Sequence, residues 1–156
     1  MRRELLDFEV IVSPRPFSPH QHALVQLAYQ LETWARRSGH FVLTAPFDIR
    51  FAPGTILEPD VMVFHRRLRP DEPMPLTTMP MLCVEVLSPS SVTYDRHTKR
   101  LVHARAGVGE HWIVDPSEPS IERFHGPDLR ARAVATHTLV AETLPGLSID
   151  VAQLAL

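Results

Sequence analysis

Two carboxylates set beside apolar strands, followed by the only lysine in the chain, are the residues of this sequence whose types and spacing could do chemistry. Glu85 lies inside the run Met81-Leu82-Cys83-Val84-Glu85-Val86-Leu87, which is closed by Ser88-Pro89-Ser90-Ser91. A short continuous apolar run ending in turn residues reads as a strand buried on both faces. An ionised carboxylate in such a strand is costly unless a cation, a metal or hydrogen bonds receive it, so a partner is expected. Asp60 follows Glu58-Pro59 and opens a second strand, Asp60-Val61-Met62-Val63-Phe64. Side chains alternate along strands, so Glu85 shares a face with Cys83 and Leu87, and Asp60 shares one with Met62 and Phe64. If the two strands are neighbours and those faces coincide, an acidic pair sits at one end of a sheet. Such a pair is relieved by a shared proton, a cation or a metal. Oxygen-only ligation suits Mg²⁺ or Mn²⁺, usually with water and substrate phosphate completing the shell, which points to phosphoryl chemistry.

The cation comes from composition. Of the 16 Lys and Arg residues, Lys99 is the single lysine. Its i−4 neighbour is Asp95, and one reading is a surface ion pair worth about 0.3–0.5 kcal/mol. The other reading is functional: a chain that uses arginine everywhere else places here a compact ammonium on a flexible stem, able to orient a water or a phosphate oxygen.

The elements that would carry these residues follow from periodicity. Pro14, Pro16 and Pro19 make 13–19 an irregular lead-in, and His20 to Arg37 then shows apolar residues at helical steps, ending near Gly39. His40 to Leu43, Phe47 to Phe51 and Asp60 to Phe64 read as strands, followed by a Pro-rich loop from His65 to Pro80. After the Glu85 strand, the Ser-Pro-Ser-Ser turn caps a helix from about Val92 to Ala106, stopped by Gly107. His111 to Asp115, Ile121 to Phe124, Ala131 to Leu139 and a short C-terminal piece read as further strands. The order predicts a mixed α/β (α+β) single domain with helices flanking one sheet.

The 156 residues allow one domain burying roughly 68–70% of its unfolded surface. The N-terminal Met-Arg-Arg-Glu-Leu-Leu-Asp is too charged for a signal peptide, and no apolar run reaches a membrane span, so a cytoplasmic protein without membrane contact is expected. Lone Cys83 reads as a small buried hydrophobe, and Trp112 as core. A net charge of −2 excludes a basic coat, so any nucleic-acid contact needs a local patch. His20 and His22 point to different sides of a helix, His97 and His103 are also off one line, and no second Cys accompanies them, so zinc is not indicated. The serines of the turn lack the glycines of a nucleophile elbow, and there is no Gly-rich phosphate loop.

Pro59-Asp60, Glu85-Val86-Leu87-Ser88-Pro89-Ser90-Ser91, Asp95, Lys99 and Ala106-Gly107-Val108-Gly109-Glu110-His111-Trp112-Ile113-Val114-Asp115 together resemble the Uma-type restriction endonuclease family of the PD-(D/E)XK nuclease-like superfamily. Ser13-Pro14 with His20-Gln21 is similar to that family's N-terminal pattern, and the resemblance runs over about residues 13–125. It implies a restriction-endonuclease-like core in which Asp60 and Glu85 ligate Mg²⁺, with the Val86 carbonyl as a third ligand. The superfamily usually carries its lysine two residues after the second carboxylate. That position is Leu87 here, so the resemblance assigns the role to Lys99, with Asp95 positioning it. His103 and His111, where relatives commonly carry Tyr, are read as packing or surface changes. His20 either approaches the site or caps the first helix, and the cap is the preferred reading.

The implied activity is metal-dependent hydrolysis of phosphodiester bonds in DNA. Arg96, Arg100 and Arg105 beside Lys99, with Arg66, Arg67 and Arg69 in the loop after Phe64, are the candidate phosphate contacts, expected to flank the acidic end. The competing expectation is an inactive module that keeps the fold and binds nucleic acid or a protein. A homodimer fits a nuclease-like domain of this size, though periodicity does not demand one.

Overall fold

The computed structural model describes residues 1–14, 17–89 and 95–156, and of these the side chains of Asp95 and Arg96 lie outside the description. The chain opens with a hairpin of β1 (Arg2–Leu6) and β2 (Glu9–Ser13), an element that the sequence reading did not anticipate. Helix α1 (Ser18–Ser38) follows, with Pro in its first turn and Gly39 in the left-handed conformation that closes helices, its N–H bonded to the Ala35 carbonyl. Its N-cap residue is Phe17, without a side-chain cap bond. The cap assigned to His20 is therefore absent. Next come β3 (Phe41–Thr44), β4 (Ile49–Ala52), β5 (Thr55–Leu57), β6 (Val61–Phe64) and β7 (Leu82–Val86).

Beyond β7 the helix expected from Val92 is described only from Asp95. A π-helical turn over Asp95–Lys99 runs into α2 (Arg100–Arg105), and Val92 to Tyr94 lie outside the described residues. The chain ends with β8 (Glu110–Asp115), β9 (Ser120–His125), β10 (Ala131–Ala135), β11 (Thr138–Val140) and β12 (Ser148–Asp150). The single strand expected over Ala131 to Leu139 is thus two.

Six strands make the main sheet in the order β10-β9-β8-β7-β6-β3, and a second sheet runs β2-β1-β5-β4. Among the described strands, β7 and β8 alone pair in parallel. Parallel neighbours need a crossover connection, and the segment containing Asp95–Lys99 and α2 supplies it. The crossover is therefore the element that carries Lys99 past the end of β7.

The main sheet is covered on both faces, which explains the unbroken apolar runs in its central strands. One face, with Val61, Val63, Leu82, Val84, Val86, Trp112 and Val114, packs against Ala23, Leu27, Leu31 and Trp34 of α1. The other face, with Met62, Phe64 and Cys83, packs against Leu6, Ile49, Phe51 and Leu57 of the second sheet. The expected flanking by helices holds on the first face; on the second, a sheet does most of the covering. A mixed α+β architecture results.

Two buried polar groups tie the layers together. Glu110 accepts from the Trp112 indole N–H at 2.8 Å and from the Thr143 backbone N–H and hydroxyl at 2.8 and 2.7 Å, anchoring the C-terminal segment to β8. His103 of α2 and His111 of β8 are fully buried with their Nδ1 atoms 2.9 Å apart, so one ring donates and the other accepts. They are packing residues rather than surface ones. Burial, joined by the neighbouring cations, holds His111 down at about 3, and burial with His111 beside it holds His103 well below the ordinary imidazole range.

These depressed values make the fold acid-sensitive. Between pH 6.5 and about 3 the unfolded chain binds the His111 proton and the folded chain does not, so stability falls as pH falls. The loss at pH 5 comes to about 2 kcal/mol for His111 alone. Thermal unfolding is expected to show a lower Tm at pH 5 than at pH 7, and a His103→Phe, His111→Phe double variant should lose most of the slope between those values that these two residues contribute.

Candidate active site

Asp60 and Glu85 meet because of strand register. In the antiparallel β6 and β7 pair Val61 faces Val84 and Met62 faces Cys83, so one step further Asp60 stands opposite Glu85. Residues opposed in this way share a face, with Cβ atoms about 4.5–5.5 Å apart. The face is the one covered by the second sheet, and it places Asp60 with Met62 and Phe64, and Glu85 with Cys83. Asp60 is bound across the sheet: its Oδ2 accepts from the Val86 N–H at 2.8 Å. The N–H and C=O of one strand residue point the same way, so the Val86 carbonyl faces the Asp60 side of β7.

Lys99 comes down from the crossover onto this pair. Its Nζ is 3.3 Å from Glu85 Oε2, and 3.2 and 3.1 Å from the two oxygens of Glu4. Glu85, Lys99 and Asp60 are 2, 3 and 4% exposed. The i−4 pairing with Asp95 falls on a side chain outside the description. Leu87, at the usual lysine position, packs with Ile113, Phe124 and Leu129.

The sequence reading missed the N-terminal hairpin, and with it two members of the site. On β1, alternation turns Arg2, Glu4 and Leu6 inward. The Glu4 carboxylate accepts from the Glu58 backbone N–H at 2.8 Å while it holds Lys99. The Arg2 guanidinium lies among carboxylates: Nη1 donates to Asp60 Oδ1 at 2.9 Å, Nη2 to Glu4 Oε1 at 3.2 Å, and Nε is 3.5 Å from Glu58 Oε2. The one trace of the hairpin in the sequence is a period-two pattern through Arg2, Glu4 and Leu6, answered by Ile11 and Ser13, which the adjacent charges obscure.

His20 stands at the site instead of capping its helix. It is 6% exposed, with Nε2 3.5 Å from Asp60 Oδ2. Burial works against ionisation of Asp60, but His20, Arg2 and the Val86 N–H outweigh it and hold the carboxyl below its ordinary value. Glu85 goes the other way. Burial first, then the fields of Asp60 and Glu4, push it up to about 8 against the pull of Lys99 and Arg2. Two carboxylates in one site with pKa values driven apart is the environment expected of functional groups.

Arg66, Arg67 and Arg100, expected to flank the site, are engaged elsewhere. Asp60 precedes β6 and Arg66 follows it, so a strand rise of about 3.3 Å per residue separates them by roughly 20 Å. Arg66 pairs with Glu72 at 2.9 Å, and Arg67 lies 5.5 Å over the Phe41 ring. Arg100 stacks over Phe124 at 4.7 Å and donates to the Leu129 carbonyl, so its guanidinium is committed to packing. The Arg96 side chain is outside the description. Among the described residues the Lys and Arg side chains that line the cavity are Arg2, Arg3 and Lys99.

The site opens into a cavity of about 480 Å³ lined by Arg2, Glu4, His20, Asp60, Glu85 and Lys99, among others. Two features test whether a divalent ion suits these residues. Glu85 Oε1 is buried and has no hydrogen-bond partner among the described residues. The cavity lining carries four carboxylates, Glu4, Glu58, Asp60 and Glu85, against three cationic side chains, Arg2, Arg3 and Lys99. A hard dication matches both, in charge and in oxygen donors. Among the described residues no three His, Cys, Asp or Glu side chains are gathered as a ligand set.

A crystal structure described as "a putative nuclease belonging to DUF820", from Anabaena variabilis, has the same fold, with a TM-score of 0.78 over 97% of this chain and 88% of that one at 17% identity. Residues 1–152 match the family Uma2, described as "Putative restriction endonuclease", and the chain belongs to that family. No curated protein matches it significantly in sequence. No helix among the described residues is long and apolar enough to cross a membrane.

The raised Glu85 value gives a stability signature. Between the ordinary carboxyl value of 4.5 and about 8, the folded chain holds a proton on Glu85 that the unfolded chain has lost, so this group costs stability as pH rises through that window. Glu85→Gln is expected to raise Tm relative to the parent, with the difference growing from pH 5 to pH 8 in parallel melts.

Proposed function

We propose that the protein is a metal-dependent endonuclease that hydrolyses phosphodiester bonds in DNA, with Asp60, Glu85 and Lys99 as its catalytic residues. The observation that carries this reading is the convergence on one buried spot of two register-opposed carboxylates and the chain's single lysine, whose Nζ is 3.3 Å from Glu85. Membership of a family described as "Putative restriction endonuclease" supports the same reading.

Asp60, Glu85 and the Val86 carbonyl would hold Mg²⁺ or Mn²⁺, which when bound supplies Lewis acidity and a water of lowered pKa. The chain's own residues do the rest. The Val86 N–H and His20 fix the orientation of Asp60. To serve as a ligand Glu85 would give up its proton to solvent, since its raised value reflects burial and the neighbouring carboxylates. Glu4 holds the Lys99 ammonium beside Glu85, where it can orient the attacking water and stabilise charge growing on the phosphorus oxygens. The burial of Asp60, Glu85 and Lys99 strengthens each of these interactions.

One observation favours a second reading, an inactive nuclease-like module. Arg2 already gives Asp60 a cation, so the acidic pair is partly compensated without metal. Purified protein with Mg²⁺ or Mn²⁺ and plasmid or single-stranded DNA separates the two readings. Cleavage should require metal, fall by at least about 100-fold in Lys99→Met, and vanish in Asp60→Ala and Glu85→Ala. An inert parent across both substrates, or variants that all cut equally, would rule out the enzyme.

A further inference from the structure

Arg2 stands where a dication would have to act. Its guanidinium touches Asp60 Oδ1 at 2.9 Å and Glu4 Oε1 at 3.2 Å, and lies 3.5 Å from Glu58 Oε2, so one side chain engages three of the four carboxylates lining the site. Burial opposes its charge, but the fields of Glu85, Asp60, Glu4 and Glu58 overcome this and keep it protonated. Asp60 Oδ2 is taken by the Val86 N–H and by His20, so the oxygen that Arg2 occupies is the one left for a further ligand.

The Arg2 end of β1 has few backbone ties to the second sheet. β1 is bonded to β5 at one register pair, Leu5 with Ile56, while Arg2 pairs only with Ser13 of the edge strand β2. Arg2 can leave the carboxylates without unzipping the second sheet, and its side chain, 22% exposed, borders the cavity. Lys99 has no such latitude: it is 3% exposed and held by Glu4 and Glu85.

We infer that Arg2 is a tethered cation that occupies the metal position of the Asp60 and Glu85 site, and that a divalent ion binds by exchanging with it. The inference rests on the metal reading above. A monovalent guanidinium satisfies Asp60 but leaves Glu85 Oε1 bare, whereas a dication can engage both carboxylates. A positive charge beside the ligand oxygen lowers the affinity for a second one. The site is thereby selective for multivalent cations and stable without them.

Mn²⁺ binding to the full chain, followed by isothermal titration calorimetry, tests this with Arg2→Gln and Arg2→Lys. Removing the charge should tighten Kd at least about tenfold, while Arg2→Lys, which keeps it, should stay within a few-fold of the parent. Unchanged or weaker binding in a folded Arg2→Gln variant overturns the exchange and leaves the metal reading standing. If neither parent nor variant binds Mn²⁺, the metal reading fails as well. A readout on the unaltered chain covers the case in which Arg2→Gln does not fold: the Arg2 Nε–Hε resonance should shift on Mg²⁺ addition as its ion pairs open, and an unmoved resonance at saturating Mg²⁺ refutes the exchange.

Discussion

The buried ammonium of Lys99, held between Glu4 and Glu85, is the constraint on which the arrangement of this protein depends. A buried ammonium is tolerable only when oxygen acceptors, at least one of them ionised, face it at hydrogen-bond distance. That condition joins three separate parts of the chain. Glu4 belongs to the N-terminal hairpin, Glu85 to the central strand of the main sheet, and Lys99 to the crossover between the parallel strands. Removing Glu4 or Lys99 leaves its buried partner without that counter-charge, so the hairpin, the sheet and the crossover are linked through electrostatics as much as through apolar contact.

The second sheet has a matching double role. Its apolar side chains Leu6, Ile49, Phe51 and Leu57 cover Met62, Phe64 and Cys83, completing the core on that face. At the open end of the same face the covering residues change character, and Leu6 gives way to Glu4 and Arg2 along one side of β1. The lid over the hydrophobic core thus becomes the wall of the acidic cavity two residues further along. Alternation in one strand is enough to do both.

The central strands were legible in the sequence because they are buried on both faces, which leaves apolar runs too continuous for a surface strand. Helix α1 was legible through its period and its Gly39 terminus. Glu85 drew attention because a carboxylate in such a run needs a partner, and Lys99 because it is unique. The hairpin was not legible. Its turn is Asp7-Phe8, both at positive φ (46° and 68°), where the recognisable signature would be Asn-Gly or Asp-Gly. Charged residues at Arg2, Arg3 and Glu4 also hid its alternation. The arginines near Phe64 misled for a geometric reason: proximity in sequence to a strand says nothing about which end of it they occupy, and β6 carries them away from Asp60.

What the sequence by itself determined are properties carried by local pattern and composition: which segments are buried strands, where α1 ends, and that Glu85 must be neutralised. Register and long-range pairing were decided only by the tertiary structure. That Asp60 stands opposite Glu85 depends on the β6 and β7 alignment, and a slip of one residue would put them on opposite faces. That Lys99 is held by Glu4 depends on a contact across 95 residues. His20 likewise reaches Asp60 because packing of α1 on the sheet brings it there. Electrostatic partners over such separations leave no periodic trace in the chain, because the force that selects them acts through space.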